Sequence, residues 1–313
     1  MPNWSKSPAA TQHIGVLLFD GFSNHCLANT IEPLRAANSL SRKQVFNWEF
    51  LTINGDNAQS SSGLQVAPHK RLHHAAGDIL VVMPSYGFRR YISRETQVGL
   101  RRAARQFKAL AGLDTGSWLL AEAGLLEHRC ATIHWEEMTS FAERFPEIDV
   151  QRERFVIDGN RITCSGAMAA FDLVLHLIGR DHGQALALEV SQLFMSHGFG
   201  HCLRGGAEAS SRIVKNALAI MQDNLENPIT IAEIARQAKC TQKVLEVRMK
   251  SDLGATPQQI YRRQRLNLAR KLAVGTDLRI AEITVRCGYA DAAAMTRAFR
   301  NEFGATPRDL RRI

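Results

Sequence analysis

The first two thirds of the chain alternate unbroken apolar runs with helix-spaced ones. Ile14–Phe19 is a continuous apolar run, the pattern of a strand buried on both faces. Asp20-Gly21-Phe22 reads as a turn, and Leu27–Asn38 carries helical spacing. Trp48–Ile53, Asp78–Met83 and Lys108–Leu113 read as further strands, with an amphipathic basic helix over Glu95–Phe107. Asp114-Thr115-Gly116 is a sharp strand-to-helix turn that leads into a helix through Leu120–Ala123. Phe155–Asp158 and Arg161–Cys164 flank a Gly159-Asn160 hairpin turn, and apolar helices follow over Ala167–Ile178 and Ala185–Phe194. This order predicts an α/β domain over 13–195, with a mainly parallel sheet flanked by helices.

The pattern then changes. Residues 196–210 are rich in Gly and Ser, lack helical periodicity, and read as a linker. Residues 1–12 read as a disordered N-terminus. The remainder, 211–313, is helical throughout and repeats itself. Leu253-Gly254-Ala255-Thr256-Pro257 returns as Phe303-Gly304-Ala305-Thr306-Pro307, 50 residues on, and Ala232-Glu233-Ile234 returns as Ala281-Glu282-Ile283, 49 residues on.

Each copy reads as helix–turn–helix, over 231–250 and 280–303. Thr230 and Glu233 have capping-box spacing ahead of a helix over Ile231–Gln237. Thr241 caps the next helix, which Gly254 stops. In the second copy Ile280, Ile283 and Val285 supply the apolar side, Gly288 the turn, and Asp291 the cap of a helix ending near Phe303. A helix from Thr256-Pro257 to Val274 joins the copies. Tyr261, Leu268 and Leu272 form its stripe, while Arg262, Arg263, Arg265, Arg270 and Lys271 are expected on the wet side.

Charge sharpens this picture. The net charge of +9 sits entirely in the helical part, because 211–313 carry 19 Lys and Arg against 10 Asp and Glu, whereas the first 210 residues are balanced. A basic module attached to a neutral one fits a polyanion reader joined to a sensor or catalyst. In a helix–turn–helix unit the N-terminal half of the second helix meets the major groove. The candidates are Thr241, Gln242, Lys243 and Arg248 in the first unit, and Asp291, Thr296, Arg297 and Arg300 in the second. Arg297 is the strongest, since a guanidinium can bind guanine O6 and N7 together.

Other classes recede. No apolar run reaches the roughly 18 residues of a membrane span, and no secretory h-region follows Lys6, so a cytoplasmic protein is expected. The six cysteines stand far apart with no C-x-x-C pair, and His73-His74, His128 and His134 lack ligand spacing, so neither metal nor cofactor is expected.

Gly288-Tyr289-Ala290-Asp291, Thr296-Arg297-Ala298-Phe299-Arg300 and Phe303-Gly304-Ala305-Thr306-Pro307 together resemble the signature of AraC/XylS-type transcription regulators. The resemblance covers about 100 residues. It implies two units reading successive major-groove segments of double-stranded DNA about one turn apart. Val247 stands where that family usually shows an exposed Arg, Lys239 where it shows a turn Gly, and Ala292 and Ala293 where larger polar residues are common. These departures predict weaker base reading by the first unit.

The α/β part carries a second resemblance. Leu113-Asp114-Thr115-Gly116, Leu120 to Leu126, Ala131-Thr132-Ile133-His134-Trp135 and Arg161 to Gly166 look like the class-I glutamine-amidotransferase-like (PfpI-like) domain, which has a flavodoxin-like sheet. With the basic third, the whole chain resembles the GlxA-type branch of AraC regulators. The turn at Asp114 resembles a nucleophile elbow. Hydrolytic relatives carry a Cys there, and a carboxylate is a far poorer nucleophile, so no catalytic residue is expected. A pocket at the carboxyl ends of the strands is still expected. Its candidate residues are Asp114, Thr115, Glu32, Trp118, His134 and Trp135. A carboxylate among aromatic faces suits a cationic or quaternary amine, and relatives in this branch sense compounds such as arginine, carnitine or glycine betaine. Asp114 as a mere cap of the following helix is the competing reading.

The resemblance thus implies a ligand-responsive regulator of catabolic genes. It also implies activation, a homodimer and contact with RNA polymerase. The alternatives are a hydrolase or amidotransferase with a helical appendage, and a DNA-bridging protein whose first domain only dimerises.

Overall fold

The computed structural model describes residues 11–194 and 208–311. Packing divides them into two compact units, one over 11–181 and 186–194, the other chiefly over 208–311. The expected linker and N-terminus lie largely outside the described residues. Two edges differ from expectation: Gln12 already belongs to a strand, and a helix begins at Glu208.

In the first unit seven strands form one sheet. They are β1 (Gln12–Leu18), β2 (Phe46–Thr52), β5 (Lys70–Arg71), β6 (Gly77–Met83), β7 (Phe107–Leu113), β10 (Phe155–Asp158) and β11 (Arg161–Cys164). Short pairs β3 (Ala58–Gln59) with β4 (Gln65–Val66), and β8 (Cys130–Ala131) with β9 (Asp149–Val150), stand apart. The order across the sheet is β10-β11-β7-β6-β1-β2-β5. Every neighbouring pair is parallel except the β10–β11 hairpin. The chain therefore winds outward from β1 in one direction and then, through β6, in the other. The switch point lies between β1 and β6, where open α/β sheets place their ligands.

The helices of this unit are α1 (Asn24–Ser41), α2 (Arg94–Gln106), α3 (Gly116–Glu122), α4 (Met138–Arg144), α5 (Ala167–His182) and α6 (Gln184–Leu193). The central strands are buried, with Val16, Leu17, Leu80, Val82, Leu110 and Leu113 all but inaccessible. That burial on both faces is why they lack period-two alternation.

The second unit is α7 (Glu208–Asp223), α8 (Ile231–Gln237), α9 (Gln242–Leu253), α10 (Pro257–Gly275), α11 (Ile280–Arg286), α12 (Ala292–Phe303) and α13 (Pro307–Arg311). The two repeats appear as α8–α9 and α11–α12, joined by α10. The Thr256 and Gln259 side chains and backbones form a reciprocal capping box that starts α10 at Pro257.

Three expectations need correction here. The Thr230 hydroxyl accepts the Glu233 N–H, but the Glu233 carboxylate turns to Arg236 and Gln237, so only half the box forms. Val285 is exposed, and buried Thr284 takes its place, its hydroxyl satisfied by the Ile280 carbonyl at 2.7 Å. Arg263 and Arg265 are not wet. Arg263 pairs with largely buried Glu302 at 2.8 Å, and Arg265 donates to the carbonyls of Cys287 and Gly288 while stacking on Tyr289.

Candidate ligand pocket and nucleic-acid interface

Two non-glycine residues with positive φ end adjoining strands: Ser85 (φ 52) after β6 and Asp114 (φ 61) after β7. Such backbone costs about 1–3 kcal/mol each and collects at functional sites. The elbow needs glycine on both sides. A Cβ on Gly112 would lie 2.6 Å from the Ser117 nitrogen, and one on Gly116 2.1 Å from the Val82 carbonyl oxygen. Only without those carbons does α3 start directly over the strand ends.

Asp114 is tied down by its backbone. Its N–H donates to the Cys164 carbonyl at 3.0 Å, and its carbonyl accepts the His134 N–H at 3.1 Å. Its carboxyl is hydrogen-bonded by Ser85. The same Ser85 hydroxyl oxygen accepts the Ser23 N–H at 3.2 Å, and the Ser85 carbonyl accepts the Thr115 hydroxyl at 2.8 Å. Ser85 thus joins the loops that follow β1, β6 and β7, at the switch point. Thr115 stands at the N-cap of α3 without a side-chain cap bond. The Asp114 carboxyl has Ser85 among the groups that favour its charged form.

Burial pushes the Asp114 carboxyl above the usual aspartate range. The Ser85 hydrogen bond and the nearby His134 oppose that rise, and the negative charge of Glu136 adds to it. His134 Nδ1 lies 3.9 Å from Glu136 Oε2, and its ring sits over Gly166, where a Cβ would come within 3.4 Å of Cδ2. Three large side chains stand exposed beside these groups: Tyr86 (66%) follows Ser85, Trp135 (72%) follows His134, and Met168 (61%) opens α5 two residues after Gly166.

Two thiols feel the Asp114 charge, Cys26 in the first turn of α1 and Cys164 at the end of β11. Both are buried. Burial is the chief cause that raises Cys164 to about 12 and Cys26 well above its ordinary value. Thiols that stay protonated are not nucleophiles. Ser117 is buried too, its hydroxyl donating to the Thr132 carbonyl at 2.7 Å.

Of the expected pocket residues, Asp114, Thr115 and His134 come together, and Trp135 stands next to His134. Glu32 pairs instead with Arg35 on its own helix at 2.7 Å. Trp118 is 5% exposed in an aromatic cluster with Phe88, Phe141 and Phe145, because its position on α3 faces the core. Sequence reading missed Ser85, Tyr86 and Met168. The Pro84 that stops β6 signals a loop there, but nothing in the one-dimensional pattern places that loop beside Asp114.

In the helical unit, α9 and α12 present their polar sides outward. The Thr241 hydroxyl accepts the Val244 N–H as a cap, and the Gln242 amide is bonded to Glu246 at 2.9 Å. Lys243 and Arg248 are exposed. On α12, Arg297 and Arg300 are exposed and Thr296 is half-buried. The Asp291 carboxylate accepts the N–H groups of Ala293 and Ala294 at 3.0 and 2.9 Å, so it orders the helix; a carboxylate would repel phosphate. Gly288 (φ 68) is indispensable to the second turn, since a Cβ there would lie 2.3 Å from Pro228 Cγ. The matching place in the first turn is Lys239, which takes φ 58 despite its side chain.

The chain carries an α/β domain and, after it, two helix–turn–helix units of the kind that reads DNA. Comparison with known proteins agrees. A family described as "Helix-turn-helix domain" matches residues 234–313. The HTH-type transcriptional regulator GbdR of Pseudomonas aeruginosa is 34% identical over 319 residues, covering 99% of this chain and 86% of that protein. The HTH-type transcriptional regulator CdhR of the same species is 34% identical, covering 97% and 92%. A THiJ/PfpI family protein from Pseudomonas syringae shares the fold, with a TM-score of 0.55 at 21% identity over 76% of this chain and 93% of that one. The chain belongs to the AraC/XylS family of helix-turn-helix transcriptional regulators, in the branch that carries a DJ-1/PfpI-like (class-I glutamine-amidotransferase-like) N-terminal domain. It is a DNA-binding transcriptional regulator. Among the described residues no helix is long and apolar enough to cross a membrane, and no group of three or more His, Cys, Asp or Glu is placed to hold a metal ion.

Proposed function

We propose that the α/β domain is a receptor for a small cationic metabolite, of the quaternary-amine or amino-acid class, and that its occupancy governs operator binding by the helical unit. The observation that carries this reading is Asp114. It occupies the strained elbow seat at the carboxyl edge of the sheet, part-buried, with Glu136 nearby and Trp135 and Tyr86 on the adjoining loops. A carboxylate with aromatic faces near it attracts a positive group that needs no covalent step. The pocket is catalytically silent in this reading, because its two thiols are held protonated and its elbow residue is a poor nucleophile. As an activator of catabolic genes, working as a homodimer that contacts RNA polymerase, the protein would switch on the pathway that consumes its own ligand.

The test is a thermal-shift panel of amino acids and quaternary amines on the full chain. One amine is expected to raise Tm through selective binding to the folded state, and the rise to vanish in Asp114→Asn. A complete panel without any shift ends the cation reading. For the DNA side, Arg297→Ala is expected to weaken specific binding by about 1–3 kcal/mol and to relax one base position. Unchanged base preference in that variant removes Arg297 from the reading role.

A further inference from the structure

The repeat gives each residue of α9 a counterpart on α12. At the offset of 50 that relates Leu253-Gly254-Ala255-Thr256-Pro257 to Phe303-Gly304-Ala305-Thr306-Pro307, Leu245, Met249 and Leu253 match Met295, Phe299 and Phe303. All six are buried. The helices also stop alike, at Gly254 (φ 69) and Gly304 (φ 73). The two helices therefore share one register and one inward stripe. At 3.6 residues per turn, the direction opposite that stripe falls on Val247 in α9 and on Arg297 in α12.

Val247 is 60% exposed, and Val244 beside it is exposed as well. The core of the unit does not use them, since the apolar stripe of α9 is complete without them. Val is also a weak helix former, so local propensity does not account for it. The surroundings are basic and polar: Lys243, Arg248 and Lys250 are exposed on the same helix. The hydrogen-bonding neighbours Gln242 and Glu246 hold each other.

We propose that Val247 is the base-reading residue of the first unit and that it recognises the C5-methyl group of thymine. This rests on the DNA-binding role of the helical unit and assigns its first half a chemistry of its own. In the major groove, thymine presents an apolar methyl group, whereas the other base-edge features are hydrogen-bond donors and acceptors. A valine centred on the outward face has one favourable partner there. The flanking lysines and Arg248 supply phosphate contacts that hold the helix against the groove. Arg297, at the matching position of α12, reads guanine by hydrogen bonds. The two halves of the operator then differ in kind: a thymine in one, a guanine in the other, about one helical turn apart.

The experiment starts with the full chain and a random duplex pool, from which preferred sequences are selected. Each thymine of the selected duplex is then replaced in turn by deoxyuridine, which lacks only the methyl group, and affinity is read by fluorescence anisotropy. One replacement is expected to weaken binding about fourfold, the factor that burial of one methyl-sized group supplies. Val247→Ala should bind thymine and deoxyuridine duplexes equally. Val247→Arg should select guanine at that position. Arg297→Ala should lose a guanine in the other half and keep the thymine-to-deoxyuridine ratio. Retention of that ratio in Val247→Ala, or indifference to every thymine methyl, overturns the assignment. A wild-type chain that prefers no duplex over random DNA overturns it too, and the sequence-reading role with it. Loss of the guanine preference alone in Arg297→Ala marks the case where that role stands and only the valine is judged.

Discussion

Asp114 and Lys239 both hold a left-handed backbone with a full side chain, and the two cases have different physical meaning. At Asp114 the strain aims a carboxyl at the edge of the sheet, where Ser85 and His134 meet it. Its raised pKa means that protonation is easier in the folded than in the unfolded chain. Its negative charge therefore costs stability as pH rises through the ordinary aspartate range and above. Asp114→Asn should raise the Tm of the ligand-free protein at neutral pH while removing any amine-induced shift; a lowered Tm would show that the charge is stabilising. Amine affinity should fall on acidification as the carboxyl takes up its proton, which titration calorimetry across pH measures. Lys239 fills a turn that Gly288 fills in the second unit. Lys239→Gly is expected to stabilise the helical unit by about 1 kcal/mol by relieving the positive φ, as read by urea unfolding. Asp291 shows the opposite sign to Asp114. The N–H groups of Ala293 and Ala294 hold its carboxyl below the usual range, with a further contribution from Arg297. Its cap contributes stability above the unfolded aspartate value near 4 and loses it as pH falls through the lower folded value. Asp291→Asn, which keeps a capping oxygen, should flatten that part of the unfolding profile on acidification.

At the scale of elements, the helices of the second unit are held by side chains that the sequence pattern assigns to solvent. Arg265 bonds the carbonyls of Cys287 and Gly288 and stacks on Tyr289, so α10 fixes the turn of the second helix–turn–helix. An arginine at a helical surface position looks the same in one dimension whether it is wet or bonded to another segment's carbonyls. The apolar core of that unit is legible, since Met295, Phe299 and Phe303 follow helical spacing and are buried. Phe299→Ala should cost about 3–5 kcal/mol of unfolding free energy by leaving a cavity, with chemical denaturation as the measure. The β10–β11 hairpin of the α/β unit and α8 of the helical unit appear with the bounds that turn and cap residues indicate. The two-residue strands β3, β4, β5, β8 and β9 do not, because two residues carry no periodicity.

For the whole molecule, charge and occupancy are the quantities that matter. The excess positive charge resides in the DNA-reading third, so operator binding should weaken steeply with salt, and Arg300→Ala should lower the slope of log K against log salt by about 1 if that side chain meets a phosphate. An unchanged slope would assign Arg300 elsewhere. Under the proposed function, an amine that binds should also change operator affinity of the full chain, and linkage requires that DNA change amine affinity by the same factor. Equal amine affinities with and without operator DNA would separate the pocket from the regulation.

The order of elements, the tandem repeat and the location of the basic charge follow from the chain alone, because each is written in spacing or composition along extended stretches. Asp114 in the elbow seat is legible for the same reason, since a strand, a sharp turn and a helix must follow one another there. The company that Asp114 keeps was decided by the tertiary structure. Ser85, Cys26 and Cys164 reach it through strand order, which brings the ends of β1, β6, β7 and β11 to one edge, while Trp118 turns into the core and Glu32 pairs along its own helix. Which residues share a strand end depends on how the sheet is wound, and no local pattern of apolar and polar positions encodes the winding.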